Sequence, residues 1–419
     1  MVHFDAEIDL NLMLQAISLG LHRNRSASIR MRKEDKTIKQ YFSDQPPEAV
    51  IVMDYSDSTQ EALDADIAKW SSAEFPNNSL DVQLYKCRLI KKPNGFYAVY
   101  FCVSHLAFDA YSLMMNATEI LHIYEKLLLG HPIPLSKSDP LPSYKTEWEY
   151  FKSPVYQADK DFWRNEIFAT EPLFTSVNGD AVTPPVKGKR YGKTADILRI
   201  AGNHQNYTLK AEIVNKVNDM AKSLRISPQC FYLLAARSYL SKVNSNADDV
   251  TISNTIARRA TLAEKNAGGT RVQSVLFRMN FSNSLTAQDA LLEINALQKK
   301  YYSHANLPTF DISAIFREKF SSPAGFGYNS MYLTYQPYFV ASNQTLPVHL
   351  TTHSNGSSNM PLYLTVMALD DSGDLNFNFD YPVKVTRPEV PKAVFDHMVK
   401  VFNAIAENIN IPISELNQL

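Results

Sequence analysis

No apolar run in the chain approaches the ~20 residues a membrane-spanning helix needs. Its opening, Val2-His-Phe-Asp-Ala-Glu-Ile-Asp9, lacks the basic stretch and apolar core of a secretion signal. Cysteine is scarce: Cys87, Cys102 and Cys230 are the only three in 419 residues, and none stands in a C-x-x-C or Cys/His ligand spacing. They read as buried thiols in a reducing compartment, which points to a cytoplasmic protein and leaves its N-x-S/T triplets without meaning for glycosylation. An excess of one charge is also missing. With 42 basic and 43 acidic residues and a formal net charge of −1, the chain has no global pull toward nucleic acid or a membrane, so neither is expected as a partner. Glycine-rich phosphate cradles are absent too, because Gly268-Gly269 stands without the rest of a P-loop or dinucleotide fingerprint and reads as a flexible turn.

What is present suits a globular protein with a sizeable core, at 45% hydrophobic and 20% charged residues. This length predicts two or three compact units. Pro172, Pro184, Pro185 and three glycines mark residues 171–193 as a linker between an N-terminal unit, 1–170, and a C-terminal unit, 194–419. No internal repeat is visible. Helical periodicity is expected over Asp9 to Leu21, Gln60 to Trp70, Ala211 to Ser223, Gln229 to Val243, Ala287 to Tyr302 and Pro391 to Ile409. Strands are expected around 27–31, 49–53, 329–336, 361–368 and 375–381.

The chain is best organised around Phe101-Cys-Val-Ser-His-Leu-Ala-Phe-Asp-Ala-Tyr-Ser112. Val82 to Lys91 and Phe96 to Val103 read as two strands joined by Lys92-Pro-Asn-Gly95, a turn in which Asn-Gly supplies positive φ angles. The second strand ends at Ser104-His105. Asp109 then stands at an N-cap position, and Leu113, Met114, Ala117, Ile120, Leu121 and Tyr124 recur at helical spacing up to Gly130-His-Pro132. His105 thus falls on a loop held by regular structure on both sides, a usual place for a general base. The H-x-x-x-D spacing alone is weak in a chain with ten histidines. It fits equally a strand-end histidine satisfied by backbone and an aspartate that only caps a helix.

The ordered set of positions resembles the condensation domains of nonribosomal peptide synthetases and their relatives, the chloramphenicol acetyltransferase-like acyltransferases, whose signature is H-H-x-x-x-D-G. His105 stands for the second histidine and Asp109 for the aspartate, while Ser104 replaces the first histidine and Ala110 the glycine. Tyr124, Gly130 and Pro132-Ile-Pro-Leu135 are similar to the family's helix-to-loop passage, and Asp161-Phe-Trp163 to the Tyr-Trp pair that opens its next helix. Asp249 to Arg259 resembles its strand-and-arginine passage. Gly268 to Arg278 resembles its Gly-x-x-Val-Asn-Thr-x-Pro-x-Arg strand, with Gln273 and Leu276 in place of Asn and Pro. The family usually has a further strand and helix upstream, so this chain starts late or is a fragment. Adenylation, carrier-attachment and nucleophile-elbow signatures are missing from the sequence, which suits a free-standing condensation enzyme or an excised domain.

The resemblance implies an α/β fold (an α+β sandwich) of two chloramphenicol acetyltransferase-like lobes in a V, with the motif loop at their junction in a tunnel. One mouth would admit an acyl donor held as a thioester on the phosphopantetheine of an acyl or peptidyl carrier protein. The other would admit a small-molecule amine or aminoacyl acceptor, with no permanently bound cofactor. His105 would be catalytic, either deprotonating the acceptor or holding it while stabilising charge in the tetrahedral intermediate. Asp109 would be scaffold, paired with an arginine for which Arg30 and Arg259 are the candidates. Ser104 keeps a hydroxyl that can hold the loop. Ala110 adds a methyl that narrows the tunnel if its φ is positive. A coenzyme A-dependent O- or N-acyltransferase and a catalytically degenerate docking domain are the alternatives.

Overall fold

The computed structural model describes residues 1–133, 138–167, 169–194, 200–337 and 346–419. Pro134 and Leu135 of the proline-rich passage lie outside these residues. In the N-terminal half, β1 (Val2–Phe4) leads to α1 (Leu10–Arg23), started by the Asp9 carboxylate accepting from the Leu12 N–H. The strand expected at Ala27 begins at Ile29, because Asn24 caps a single 3₁₀ turn over Arg25–Ser28. β2 (Ile29–Glu34) and β3 (Thr37–Phe42) form a hairpin, β4 (Ile51–Asp54) and α2 (Gln60–Ser72) follow, and β5 (Tyr85–Lys91) pairs with β6 (Tyr97–Val103). In the β5–β6 turn only Gly95 has a positive φ, 86°. Closure by Gly95 N–H on the Lys92 carbonyl needs a left-handed residue only at that last position, so Asn94 is not required to adopt one. After β6 come α3 (Ala110–Leu128), α4 (Leu141–Tyr150) and α5 (Pro154–Phe162). Asp161 and Phe162 thus close a helix rather than open one, and Trp163 begins a single wide turn with its indole N–H on the His304 carbonyl.

Alternation along β5 and β6 sends Leu89 and Val99 to the core under α1 and α3, and Ile90 and Tyr100 to the opposite face under α2. The sheet is therefore covered on both faces. α1 and α3 pack so closely that a Cβ at Gly20 would lie 2.5 Å from Ile120 Cγ1.

The C-terminal half contributes β7 (Gly192–Lys193), β8 (Ile200–Leu209), α6 (Ala211–Leu224), α7 (Gln229–Val243), β9 (Asp249–Ile256), α8 (Leu262–Asn266), β10 (Gln273–Asn280), α9 (Ala287–Tyr302) and α10 (Thr309–Phe320). These are followed by β11 (Phe326–Gly327), β12 (Met331–Gln336), β13 (Val348–Leu350), β14 (Ser357–Ser358), β15 (Leu362–Met367), β16 (Leu375–Pro382), α11 (Val390–Glu407) and α12 (Ile413–Leu416). The main sheet has the order β10-β9-β12-β15-β16-β8-β14. Ile252, Phe277, Leu333, Leu364 and Phe377 alternate onto one face and pack with α7, which is almost wholly buried, and with the apolar faces of α9 and α11. Among the described residues no helix is long and apolar enough to cross a membrane.

Two features depart from the expected division. The 171–193 segment folds onto the C-terminal lobe: Val177 and Tyr191 are core residues there, and Val177 N–H donates to Ser330 Oγ. Its prolines and glycines shape turns, while its apolar side chains anchor it. β13 leaves the C-terminal half altogether and pairs with β1, completing the N-terminal sheet in the order β13-β1-β6-β5-β4. The two lobes are thus joined by a shared strand as well as by covalent continuity.

Candidate active site

The β5–β6 hairpin delivers the 104–109 loop to the junction of the lobes. Ser104 N–H donates to the Leu84 carbonyl, its own carbonyl accepts from Ala107 and Phe108, and its hydroxyl accepts from the Leu106 N–H at 3.3 Å. Ser104 therefore shapes the turn that presents His105. The imidazole is exposed and makes no hydrogen bond among the described residues. Its backbone is pinned, since Thr270 Oγ1 donates to the His105 carbonyl at 2.5 Å.

At the other end of the loop Asp109 is fully buried and caps α3, accepting from Ser112 N–H at 2.8 Å. Its carboxylate also accepts from Arg259 Nη1 at 2.7 Å and Nη2 at 3.1 Å, and from the backbone N–H groups of Arg271 and Val272. Of the two candidate arginines, Arg259 is thus the one beside Asp109. Arg30 instead donates to the carbonyls of Ala27 and Ile29, and burial lowers its pKa. Ala110 is the first residue of α3 and is absent from the positive-φ residues, so its methyl occupies ordinary helical backbone.

Gly268 and Gly269 are buried where the C-terminal lobe crosses this loop. A Cβ on Gly268 would stand 2.2 Å from Ser26 Oγ, and one on Gly269, whose φ is +83°, 2.3 Å from Tyr144 Oη. The pair expected to be a flexible turn is a close crossing of backbone over side chains of the other lobe. The phenol of Tyr144 is pushed up in pKa, chiefly by burial.

Two spaces flank this crossing. His105 opens onto a pocket of about 410 Å³ whose walls are Met31 and Gln40 from the β2–β3 hairpin, Tyr144, Glu147, Trp148 and Phe151 from α4 and its end, and Thr270. A larger cavity, about 910 Å³, lies between α3 (Tyr111, Met114, Met115) and the ends of β9 and β12 (Thr255, Ile256, Thr334, Tyr335), with Arg259 and Val272 in its wall. The two share no lining residue; Arg259 and Val272 line the larger and Thr270 the smaller, so the 268–272 crossing borders both. Asp109, Arg259 and the 268–272 crossing thus form a latch between the lobes, beside both spaces.

The backbone donors of Arg271 and Val272, the Thr270 hydroxyl and the α4 face were not found from sequence. The double glycine immediately before Thr270 was the one available signal, since adjacent buried glycines mark close backbone approach.

Residues 1–419 match the family described as Condensation domain. Surfactin synthase subunit 1 of Bacillus subtilis (strain 168) is 24% identical over 414 residues, which make up 98% of this chain and 11% of that protein. Tyrocidine synthase 3 of Brevibacillus parabrevis is 18% identical over 426 residues, 100% of this chain and 6% of that protein. The chain therefore spans a small part of these relatives. Among solved structures, the first condensation domain of the calcium-dependent antibiotic synthetase, in complex with a substrate analogue, aligns with a TM-score of 0.80 at 14% identity, covering 99% of this chain and 92% of that one. VibH, a nonribosomal peptide synthetase condensation enzyme, aligns with a TM-score of 0.76 at 15% identity, covering 98% and 94%. The two-lobed, V-shaped α/β fold is common to all three.

Proposed function

The chain belongs to the condensation-domain family, and from that premise we propose that it forms amides, transferring an acyl or aminoacyl group from a phosphopantetheine thioester on a carrier protein to an amine. The observation that carries the reading is the state of His105: an imidazole free of internal partners, facing a pocket, on a loop whose two ends are fastened to both lobes. A reaction between two delivered groups gains mainly from holding them in register, and a pinned loop at a lobe junction supplies that.

In this reading the amine nitrogen attacks the thioester carbonyl beside His105. The C–N bond forms, the nitrogen gives its proton to the imidazole, and the tetrahedral intermediate collapses with cleavage of the C–S bond. The imidazolium returns the proton to the departing sulfur, so the products are an amide and a free pantetheine thiol. Asp109 and Arg259 hold the loop and take no part in the proton transfer. A cytoplasmic, reducing setting suits the three free cysteines, Cys87, Cys102 and Cys230.

The test is product analysis with an acyl group loaded either on a carrier protein or on coenzyme A, offered to a panel of amines and alcohols. Amide formed from the carrier-bound donor, reduced about 100-fold or more in His105→Ala with an unchanged melting temperature, is the expected result. Preference for acyl-coenzyme A would assign a coenzyme A-dependent acyltransferase. No turnover with either donor would leave the docking-domain reading.

A further inference from the structure

Arg258 has a left-handed backbone, φ 51°, which glycine adopts freely and a side-chain-bearing residue resists. This conformation lets two consecutive arginines diverge. Arg259 reaches Asp109 behind the motif loop, while Arg258 Nη2 reaches Glu147 Oε1 of α4 at 2.8 Å. The Arg258–Glu147 pair is sheltered, with side-chain exposures of 11% and 28%. The same turn is tied to the latch a second time, because the Arg258 carbonyl accepts from Arg271 Nε at 3.2 Å and Arg271 N–H donates to Asp109.

Glu147 belongs to the face of α4 that walls the His105 pocket: counted from Tyr144, Glu147, Trp148 and Phe151 follow at three, four and seven residues. Arg258 itself does not line that pocket. It acts on it through Glu147. We infer that Arg258 is a positioning residue that sets the seat of α4, and with it the width of the space in which the acceptor amine meets His105. The inference deepens the condensation reading and rests on it in taking this pocket as the acceptor's. Trp148 is a natural reporter of the α4 position, since it is 64% exposed, while Trp163 is fully buried and the half-buried Trp70 belongs to α2 and is a constant background in every variant.

Arg258→Gly suits the left-handed backbone and deletes the ion pair, Glu147→Gln deletes the pair alone, and Arg258→Lys keeps a cation. In the full chain, Arg258→Gly and Glu147→Gln are expected to raise the acceptor KM about tenfold, with kcat and donor KM altered less than about threefold. The melting temperature of Arg258→Gly should hold, and Arg258→Lys should recover part of the KM. Acrylamide quenching of tryptophan emission, measured without substrates, should change alike in Arg258→Gly and Glu147→Gln. Unaltered quenching in both variants overturns the inference, as does a fall in melting temperature and kcat with acceptor KM unmoved. If the wild type forms no amide from any donor, it is the condensation reading that fails, and the quenching comparison alone still decides whether Arg258 holds α4.

Discussion

Arg259 grips Asp109 with two guanidinium nitrogens, at 2.7 and 3.1 Å, and neither side chain is measurably open to solvent. The pair spans 150 residues of sequence and joins the strand-end of one lobe to the motif loop of the other. Arg259 also donates to the carbonyls of Gly269 and Ala257 and lies over the Tyr111 ring at 4.6 Å, contacts that leave its charge without a carboxylate partner among the described residues if Asp109 goes.

Asp109→Ala therefore strands a buried guanidinium, an effect worth about 3–5 kcal/mol, and also removes the α3 cap. Urea unfolding should show that loss together with reduced turnover, because the loop bearing His105 loses its anchor. A full melting temperature with only the rate reduced would instead place Asp109 in the chemistry.

Gly269→Ala is expected to weaken the lobe junction. Its φ of +83° suits glycine, and the new methyl would meet the hydroxyl of Tyr144, which is partly buried and shares a hydrogen bond with Gln40. Strain and overpacking together predict a loss of about 1–3 kcal/mol. Gly95→Ala is the control for positive φ without crowding, since nothing lies within 4 Å of a Cβ there. A difference between the two variants in thermal unfolding isolates the crossing.

Much of the site was legible because it is built from local chemistry. A hairpin with a glycine turn, a strand of aromatic and β-branched residues and an aspartate cap are all written within a few residues of one another, and they place His105 correctly on its loop. α7 and α9 were equally clear from periodicity. What was hidden depends on distant partners. β13 is three residues long and pairs with β1 across almost the whole chain, so neither length nor alternation announces it. α4 carries its aromatic face toward a pocket rather than a core, which leaves it without a clean apolar stripe. The choice of Arg259 over Arg30, and the role of Gly268 and Gly269, likewise follow from how the lobes meet.

Acid should destabilise the fold before the carboxylates are neutralised. Burial, reinforced by Lys92, holds the His3 pKa at about 3, and burial, reinforced by Lys242, holds that of His397 at about 4. In the unfolded chain both imidazoles protonate near pH 6.5. Below that pH the unfolded state takes up protons that the folded state refuses, so stability is complete above about pH 6.5 and falls toward pH 4, by on the order of 3 kcal/mol for each histidine. His3 stacks on His349 between β1 and β13, and His397 shares a hydrogen bond with Ser238. Urea midpoints from pH 7.5 to 4.5 should show the slope, and His397→Gln, which cannot titrate, should make it shallower while His3 keeps its share.

Ala110→Gly should change turnover by only a small factor. The glycine of the family signature is replaced here by a residue in ordinary helical backbone, so restoring glycine relieves no strain. Nor does it open a wall, since Ala110 lines neither the His105 pocket nor the larger cavity. The residue opens α3 directly after its cap, where exchanging alanine for glycine costs at most about 1 kcal/mol in backbone entropy. The expected outcome is a slightly lower melting temperature with kcat and KM on a carrier-bound donor within about threefold of wild type. A rise in turnover of an order of magnitude would mean that the alanine methyl restrains the motif loop during the reaction, and that the replacement of the signature glycine has weakened catalysis in this chain.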